Sequence, residues 1–482
     1  MRALVIDVGT SSVRTAIVEV DGTVGFVEQR PLTVTSPQPG EVELDATEIG
    51  ALCLELARAT LAAGGSCDVV GIANQRATTI VFDPHTGLPV GPALGWQDLR
   101  TVIDCLVLQG AGLRLAPNQS ATKAKWLVEQ SGRPSHELRF ATIETYVAWI
   151  LSEGAVHVTD HSNVGLTGLV NTSLEWDNGV LDALGLDSAM LPQIVSTMGD
   201  FGVATALPGA PRITALIGDQ PASLFGQSCV SPGATKITFG TGAMLDLVHG
   251  PKGPDRMTRF PSGCFPVVVQ SRGDDITWGV EGIVLSAGTC VDWLRDDLGL
   301  ISHAAETEGL ARSVTTTDGV SFVPAFVGLG TPYWDFGARG GFFGLTRGSS
   351  KEHMVRAVLE GIAHRGVDLV DAAVVETGSP ITELRIDGGM TKNTLLAQLL
   401  ADFSGCVIAV SPEREATTRG AGLMALVAVD ALGLDDVAAK WHPTDYFEPT
   451  LSADERASRR AQWADVVSRA AKTIPELSAV EF

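Results

Sequence analysis

Apolar runs broken by acid-and-glycine turns recur along this chain, and they set out its expected elements. Ala3-Leu4-Val5-Ile6 is the continuous run of a buried strand; Asp7, a turn Gly9-Thr10-Ser11-Ser12 and a return run Val13–Val20 follow, ending at the hairpin pair Asp21-Gly22. Without the leading acid the same pattern returns as Ala234–Ile237, the turn Thr238-Phe239-Gly240-Thr241-Gly242, and Ala243–Val248. Two such hairpins in two halves predict a duplicated α/β domain with a ligand between the halves. Val69–Asn74 predicts a strand ending in the polar set Asn74-Gln75-Arg76-Ala77-Thr78-Thr79, and Ile213, Ala215, Leu216 and Ile217 predict one that delivers Asp219. Glu383–Ile386 predicts a third, running into Asp387-Gly388-Gly389. Helical spacing at Ile49, Leu52, Leu56 and Leu61 predicts a helix over 45–63, and Val284, Val291, Leu294 and Leu298 predict an amphipathic one over 281–298. A capping box, Ser349-x-x-Glu352, opens a long helix to about Val375; helices are also expected over 391–404 and 451–473. Ser36–Gly40, Phe322–Tyr333 and Gly337–Gly348 read as loops.

Composition narrows the function classes. The 482 residues hold 45% hydrophobic and 19% charged positions, ordinary for a globular enzyme, and length allows two large α/β units, placed at 1–215 and 216–482. Net charge is −22 with no Lys/Arg-rich run, so the long-range field disfavours nucleic acid or an anionic membrane as the main partner. A nucleotide could still bind where glycine loops, helix N-termini or a local Arg reverse that field. The seven cysteines are scattered without a CxxC pair, which points to neither a disulfide framework nor a zinc knuckle and favours a reducing cytoplasm. Asp7 and Gly9 truncate any signal-peptide apolar region, and no run approaches the roughly 18 apolar residues of a membrane span.

Chemistry gathers at the strand ends. Asp219 stands just ahead of the glycine-hinged turn 238–242, whose glycines let backbone N–H groups crowd an anion while its threonines add hydroxyl donors; a base beside a phosphate cradle suggests phosphoryl transfer. An ordinary hairpin after a loop acid fits that stretch equally well. Arg14 could reach a phosphate or be a solvated strand residue. Trp96-Gln97-Asp98 and the set after Asn74 suit a ligand crevice. Strand, double glycine and helix at 383–404 suit an adenine or ribose, or a plain strand-to-helix turn. His157 and His161 have helical metal-ligand spacing, but β-branched Val158 and Thr159 between them argue against a metal site.

Taken in order and spacing, DVGTSSVR, NQRATT, WQD, GDQPASLFGQ, TFGTG, PAFVGLGTPYW, GLTRG and DGGMTKN closely resemble the FGGY family of carbohydrate kinases, the glycerol kinases most of all, from about Leu4 to about Gly433. The resemblance implies two duplicated actin/hexokinase-like, ribonuclease H-like domains closing over a central cleft, with ATP and Mg2+ on one side and a small polyol or sugar on the other. It further implies that Asp219 is the catalytic base and that Asp7, with Asp219, faces Mg2+ largely through water and phosphate. Thr10, Ser11 and Arg14 match the first phosphate loop, and Gly240 and Thr241 the second. Gly388, Gly389 and Asn393 match the adenosine site; Arg76, Trp96 and Gln220 match carbohydrate contacts.

Three positions depart from the glycerol kinase pattern. Those enzymes place a glutamate where Ala77 stands, a tyrosine at Asn118 and an aromatic at Met244. The expectation is therefore a kinase acting on a terminal hydroxyl of a four- or five-carbon polyol or ketose. A true glycerol kinase stays open, as does a non-catalytic nucleotide-binding regulator on the same fold. A homo-oligomer is compatible with either.

Overall fold

In a computed structural model, which describes residues 1–480, the two predicted hairpins each open a sheet of one design. In the first, β1 (Arg2–Val8), β2 (Ser12–Glu19) and β3 (Val24–Pro31) form an antiparallel meander. On the other side of β1, β4 (Val69–Asn74) and β5 (Arg212–Gly218) add in parallel, giving the order β5-β4-β1-β2-β3. In the second, β6 (Thr235–Phe239), β7 (Ala243–Gly250), β8 (Phe265–Arg272) and β9 (Asp275–Val284) are antiparallel, while β10 (Glu383–Asp387) and β11 (Val407–Val410) run parallel beyond β6 and β12 (Asp445–Phe447) closes the edge. The order β8-β9-β7-β6-β10-β11-β12 repeats the first plan, antiparallel strands on one side of the opening strand and parallel strands on the other, except that β9 rather than β8 lies beside β7. This is the expected duplicated α/β fold. Ala3 to Val8 are buried along β1, because helices cover both sheet faces and a central strand then reads as an unbroken apolar run.

Helices supply those covers. α1 (Ala46–Gly64) starts at Asp45, whose carboxylate accepts the N–H groups of Thr47 and Glu48, and its Ile49, Cys53, Leu56 and Leu61 pack against Leu4, Ile6, Ile17 and Ile72. α2 (Ala121–Ser131) lies in the inserted segment between β4 and β5. The other face of the first sheet is covered by α3 (Asp219–Gly226) and by α7 (Ala416–Val427), which bring Ala222, Phe225, Ala421, Met424 and Ala425 against Ala3, Val5, Ala73 and Ile217. The second domain holds α4 (Gly288–Asp296), the long α5 (Lys351–Thr377), α6 (Thr394–Ser404) and the terminal α8 (Ala453–Ala470).

Two element bounds need correction, and the expected domain division meets a continuous strand. The division at 215/216 falls inside β5, whose last residues pair with Ile72, Ala73 and Asn74; moreover α7, from the far end of the chain, completes the first domain's core. Residues 281–284 belong to β9, not to a helix, and α4 begins at Gly288; the alternation through Val280, Gly282 and Val284 is sheet periodicity, and helical spacing starts only beyond it. The capping box of α5 sits one residue later than expected, with Ser350 at the N-cap and His353 reaching back. Within the segments read as loops, Ser321–Val323 pairs with Gly341–Phe343.

α3 and α7 cross in backbone contact, since a Cβ on Gly420 would lie 1.8 Å from the Ala222 carbonyl and one on Gly226 1.9 Å from that of Ala416. Gly420→Ala must push the helices apart, and overpacking of this kind costs about 1–3 kcal/mol. A lower denaturation midpoint in urea is expected, together with reduced turnover, because α3 begins with Asp219. An unchanged midpoint would mean that the crossing yields without strain.

Candidate active site

The two hairpin turns follow the strand that opens each sheet, β1 and β6. Gly240 and Thr241 are exposed, although the strands on either side of them are largely buried. The second turn is pinned from behind: Gly288 N–H donates to Gly240 O and Ala287 N–H to Thr241 O, both at 2.9 Å. Gly388 has φ +95°, and a Cβ there would lie 2.3 Å from Phe239 O, so glycine is required. A Cβ on Gly389 would meet nothing, so its face opens outward. Asn393 caps α6, accepting the Leu396 N–H at 3.1 Å and donating to Thr307 at 3.2 Å, so its amide is engaged in shaping that helix end.

Asp219 opens α3 directly at the end of β5. Its Oδ1 accepts the Gln220 N–H at 2.8 Å and lies 3.4 Å from Arg76 Nε. Arg76, at the end of β4, donates through Nη2 to Glu281 on β9 at 2.5 Å, so one guanidinium ties the two domains across the cleft floor. Its Nη1 is buried without a protein acceptor. Gly218 must lack a side chain, because a Cβ would lie 2.4 Å from Arg76 Cδ. Gln220 accepts from Lys236 Nζ at 2.9 Å through Oε1, which leaves its amide NH2 as the end able to donate to a ligand. Lys236 is itself buried, 3.0 Å from Asp246 and 2.9 Å from the Thr238 hydroxyl.

Asp7 closes the other side. Its Oδ2 accepts the Thr418 hydroxyl of α7 at 3.2 Å and faces Arg14 Nη1 at 3.9 Å, while Arg14 also pairs with Glu415. Burial pushes the Asp7 carboxyl up to about 6 against the pull of Arg14, with the Asp219 charge adding to the rise. Burial also raises Asp219, opposed by Arg76.

Of the remaining predicted residues, Trp96 donates from Nε1 to Thr10 Oγ1 at 3.5 Å and so reaches from the carbohydrate set to the first turn. Ala77 is buried at φ +59°, and its carbonyl accepts from Ser120 Oγ at 3.2 Å. Lys123 on α2 donates to Gly95 O at 2.7 Å and Asn118 O at 3.4 Å, which binds the neighbourhoods of Trp96 and Asn118 into one wall. Asn118 is exposed, and Met244 is half-buried on β7 opposite Thr238. His157 and His161 have separate partners, Phe140 O at 2.9 Å and Ser271 Oγ at 3.0 Å. No described group of three or more His, Cys, Asp or Glu converges as a protein-only metal site, and the seven cysteines are free.

Glu281, Lys236, Asp246 and Thr418 were missed by sequence reasoning. One signal was present: the turn at 238–242 sets Lys236 directly opposite Asp246, and the next strand sets Glu281 beside Asp246.

Sequence models of the FGGY family of carbohydrate kinases, N-terminal and C-terminal domains, match residues 2–210 and 236–429. A glycerol kinase of Halorhodospira halophila is 38% identical over 489 residues, covering 97% of this chain and 96% of that one. Among solved structures, a Plasmodium falciparum glycerol kinase with ADP has a TM-score of 0.91 at 27% identity, covering 100% of this chain and 99% of its own. A xylulose kinase from Lactobacillus acidophilus, at TM-score 0.85, 20% identity and 97% coverage of each chain, shares the fold.

A raised carboxyl costs stability wherever it is ionised. Since the folded Asp7 titrates near 6, above its unfolded value, its contribution is full below the unfolded range and is lost as pH rises through about 6. Asp7→Asn should therefore raise stability at pH 8 by up to about 3 kcal/mol, with the gain shrinking toward pH 4. Denaturant melts in the presence of a chelator check this, and a variant less stable than wild type at pH 8 would refute it.

Proposed function

The chain belongs to the FGGY family of carbohydrate kinases, and from that premise we propose that it transfers the γ-phosphoryl group of ATP, with Mg2+, to a terminal hydroxyl of a four- or five-carbon polyol or ketose in the cytoplasm. The observation that carries this reading is Arg76. Two of its nitrogens are spent on Asp219 and Glu281, and the third is a buried donor without a protein acceptor, beside the carboxylate that serves as base. A substrate hydroxyl satisfies that donor, and an unmet buried donor is costly to leave. Gln220 offers its NH2 from the next position, and Trp96 supplies a carbon-packing face.

The residues fit the implied cation and nucleotide. Asp7 and Asp219 are hard oxygen donors, and among the described residues no group of three or more acids, His or Cys converges as a metal site, which suits a cation held by one or two carboxylates and by phosphate oxygens. Held by Asp7 and Asp219, Mg2+ would supply charge neutralisation for the transferring phosphoryl group. Thr10, Ser11, Gly240 and Thr241 present two exposed turns to the phosphates, and the open face at Gly388-Gly389 suits the nucleoside. Asp219 takes the hydroxyl proton: burial makes it a stronger base, while Arg76 and the Gln220 N–H favour its ionised form at neutral pH.

Substrate size follows from the wall around α2. Ala77 is small and buried, and Asn118 is exposed; by resemblance to glycerol kinases both stand at positions where a carboxylate and a phenol would hold a triol, so room and one amide would be left instead. Sites that bond hydroxyls discriminate strongly when a partner is missing, by up to roughly 10⁴-fold. Glycerol itself is the second reading, favoured by the full-length relative named a glycerol kinase.

Asp219→Asn should lower kcat by at least about 10²-fold with ATP affinity nearly unchanged. Turnover like wild type would remove the base assignment.

Measured kcat/KM for glycerol, erythritol, threitol, xylitol, ribulose and xylulose should place a longer substrate ahead of glycerol, and Ala77→Glu with Asn118→Tyr should shift preference toward glycerol. Glycerol ahead of every longer substrate defeats the size argument.

A further inference from the structure

We propose that Asp160 is a positioning residue for the phosphoryl transfer, fixing both Asp219 and Arg76 through two buried hydrogen-bond arms. The proposal rests on the roles assigned to those two residues above. Asp160 ends the strand Val158–Asp160 and caps the single helical turn His161–Val164. Its Oδ2 accepts Ser162 N–H at 2.7 Å and Ser162 Oγ–H at 2.5 Å; its Oδ1 accepts Asn163 Nδ2 at 2.5 Å.

A carboxylate accepts only, so these bonds set the direction of everything beyond them. With its one proton committed to Asp160, the Ser162 hydroxyl must act as acceptor, and it receives Gly218 N–H at 2.9 Å. Gly218 is the residue before Asp219. On the other arm, Asn163 with its NH2 turned to Asp160 also donates to Asn74 Oδ1 at 3.0 Å and accepts from Asn74 Nδ2 at 2.9 Å. That orientation lets Asn74 Nδ2 hold Gln75 O at 2.9 Å, the peptide immediately before Arg76. The arms meet again at Arg76 Nε and Asp219 Oδ1, 3.4 Å apart. Asp160, Ser162, Asn163, Asn74 and Gln75 are all at most 2% exposed, so water is a poor substitute for a lost member.

The effect on chemistry comes from placement. A shift of order 1 Å in a reacting group costs about 10²-fold. Ser162→Ala cuts one arm and leaves Gly218 N–H unmet, and Ser162→Thr keeps the hydroxyl. Expected for Ser162→Ala, with ATP and the best polyol, is a kcat at least about 10-fold lower while ATP Kd by calorimetry stays within about twofold. Ser162→Thr should restore most of the rate. In an Asp219→Asn background Ser162→Ala should cost nothing further, because no base remains to be placed. A kcat within twofold of wild type overturns the proposal, and so does an equal loss in both backgrounds, which a merely structural role produces. If Ser162→Ala does not fold, Ser162→Cys is read by the same criteria. A silent Ser162→Ala beside an impaired Asp219→Asn removes the positioning role alone. A silent Asp219→Asn removes the base assignment and this proposal with it.

Discussion

Everything in the cleft depends on keeping charges ionised where water is scarce. Arg76 and Lys236 face Asp219, Glu281 and Asp246 at the junction of the two sheets, with Lys236 and Asp246 almost fully enclosed. Taking such groups out of water costs several kcal/mol each unless partners are close and well aligned. Here the cations are shared: Arg76 serves Asp219 and Glu281, and Lys236 serves Asp246, Gln220 and Thr238. Two cations against three carboxylates, with Asp7 a short way off, leave the floor of the cleft with surplus negative charge. Burial is the main cause of the upward displacement of Asp7, and the Asp219 charge adds to it; the surplus suits a site that would receive a cation with its phosphates. The chain's overall acidity and the nucleotide site proposed for it are therefore compatible, because glycine turns, and a metal once bound, would reverse the field locally.

How far the sequence revealed this depends on whether the signal was local. β1, β4 and β5 were legible because buried central strands read as continuous apolar runs, and the polar residues at their ends, Asp7, Arg76 and Asp219, were legible for the same reason. Glu281 was not, because it lies in β9 next to Gly282 and just ahead of true helical spacing, so a window across 281–298 averages a strand with a helix. Asp160, Ser162 and Asn163 read only as a turn; nothing local says that their side chains reach Gly218 and Asn74.

The packing of α7 on the first sheet was hidden for a different reason. α7 is rich in Ala and Gly, a composition that fits close approach to something, but periodicity cannot name the partner. The partner is the first sheet, and the helix that α7 crosses is α3. Residues 416–427 thus belong to the second half by sequence and to the first half's core by packing. Thr418 on that helix also bonds Asp7, so one late segment touches both candidate acids: Asp7 by hydrogen bond and Asp219 through the packing of α3.

The placement of the proposed base, Asp219, at the first position of α3 resolves two opposed demands. A general base must be ionised at neutral pH, which the Gln220 N–H, the helix N-terminus and Arg76 favour, yet it must also hold a proton well enough to take one, which burial favours. Neither demand can be tuned if the carboxylate wanders, since each of these influences falls off within a few ångströms. The helix is accordingly fixed at both ends. Gly226 and Gly420 lock its far end to α7 by backbone contact, and Ser162 holds the peptide in front of its first residue. Glycines at the crossing and a hydroxyl at the strand end are small residues of no evident chemistry. They set the geometry through which Asp219 acquires its own.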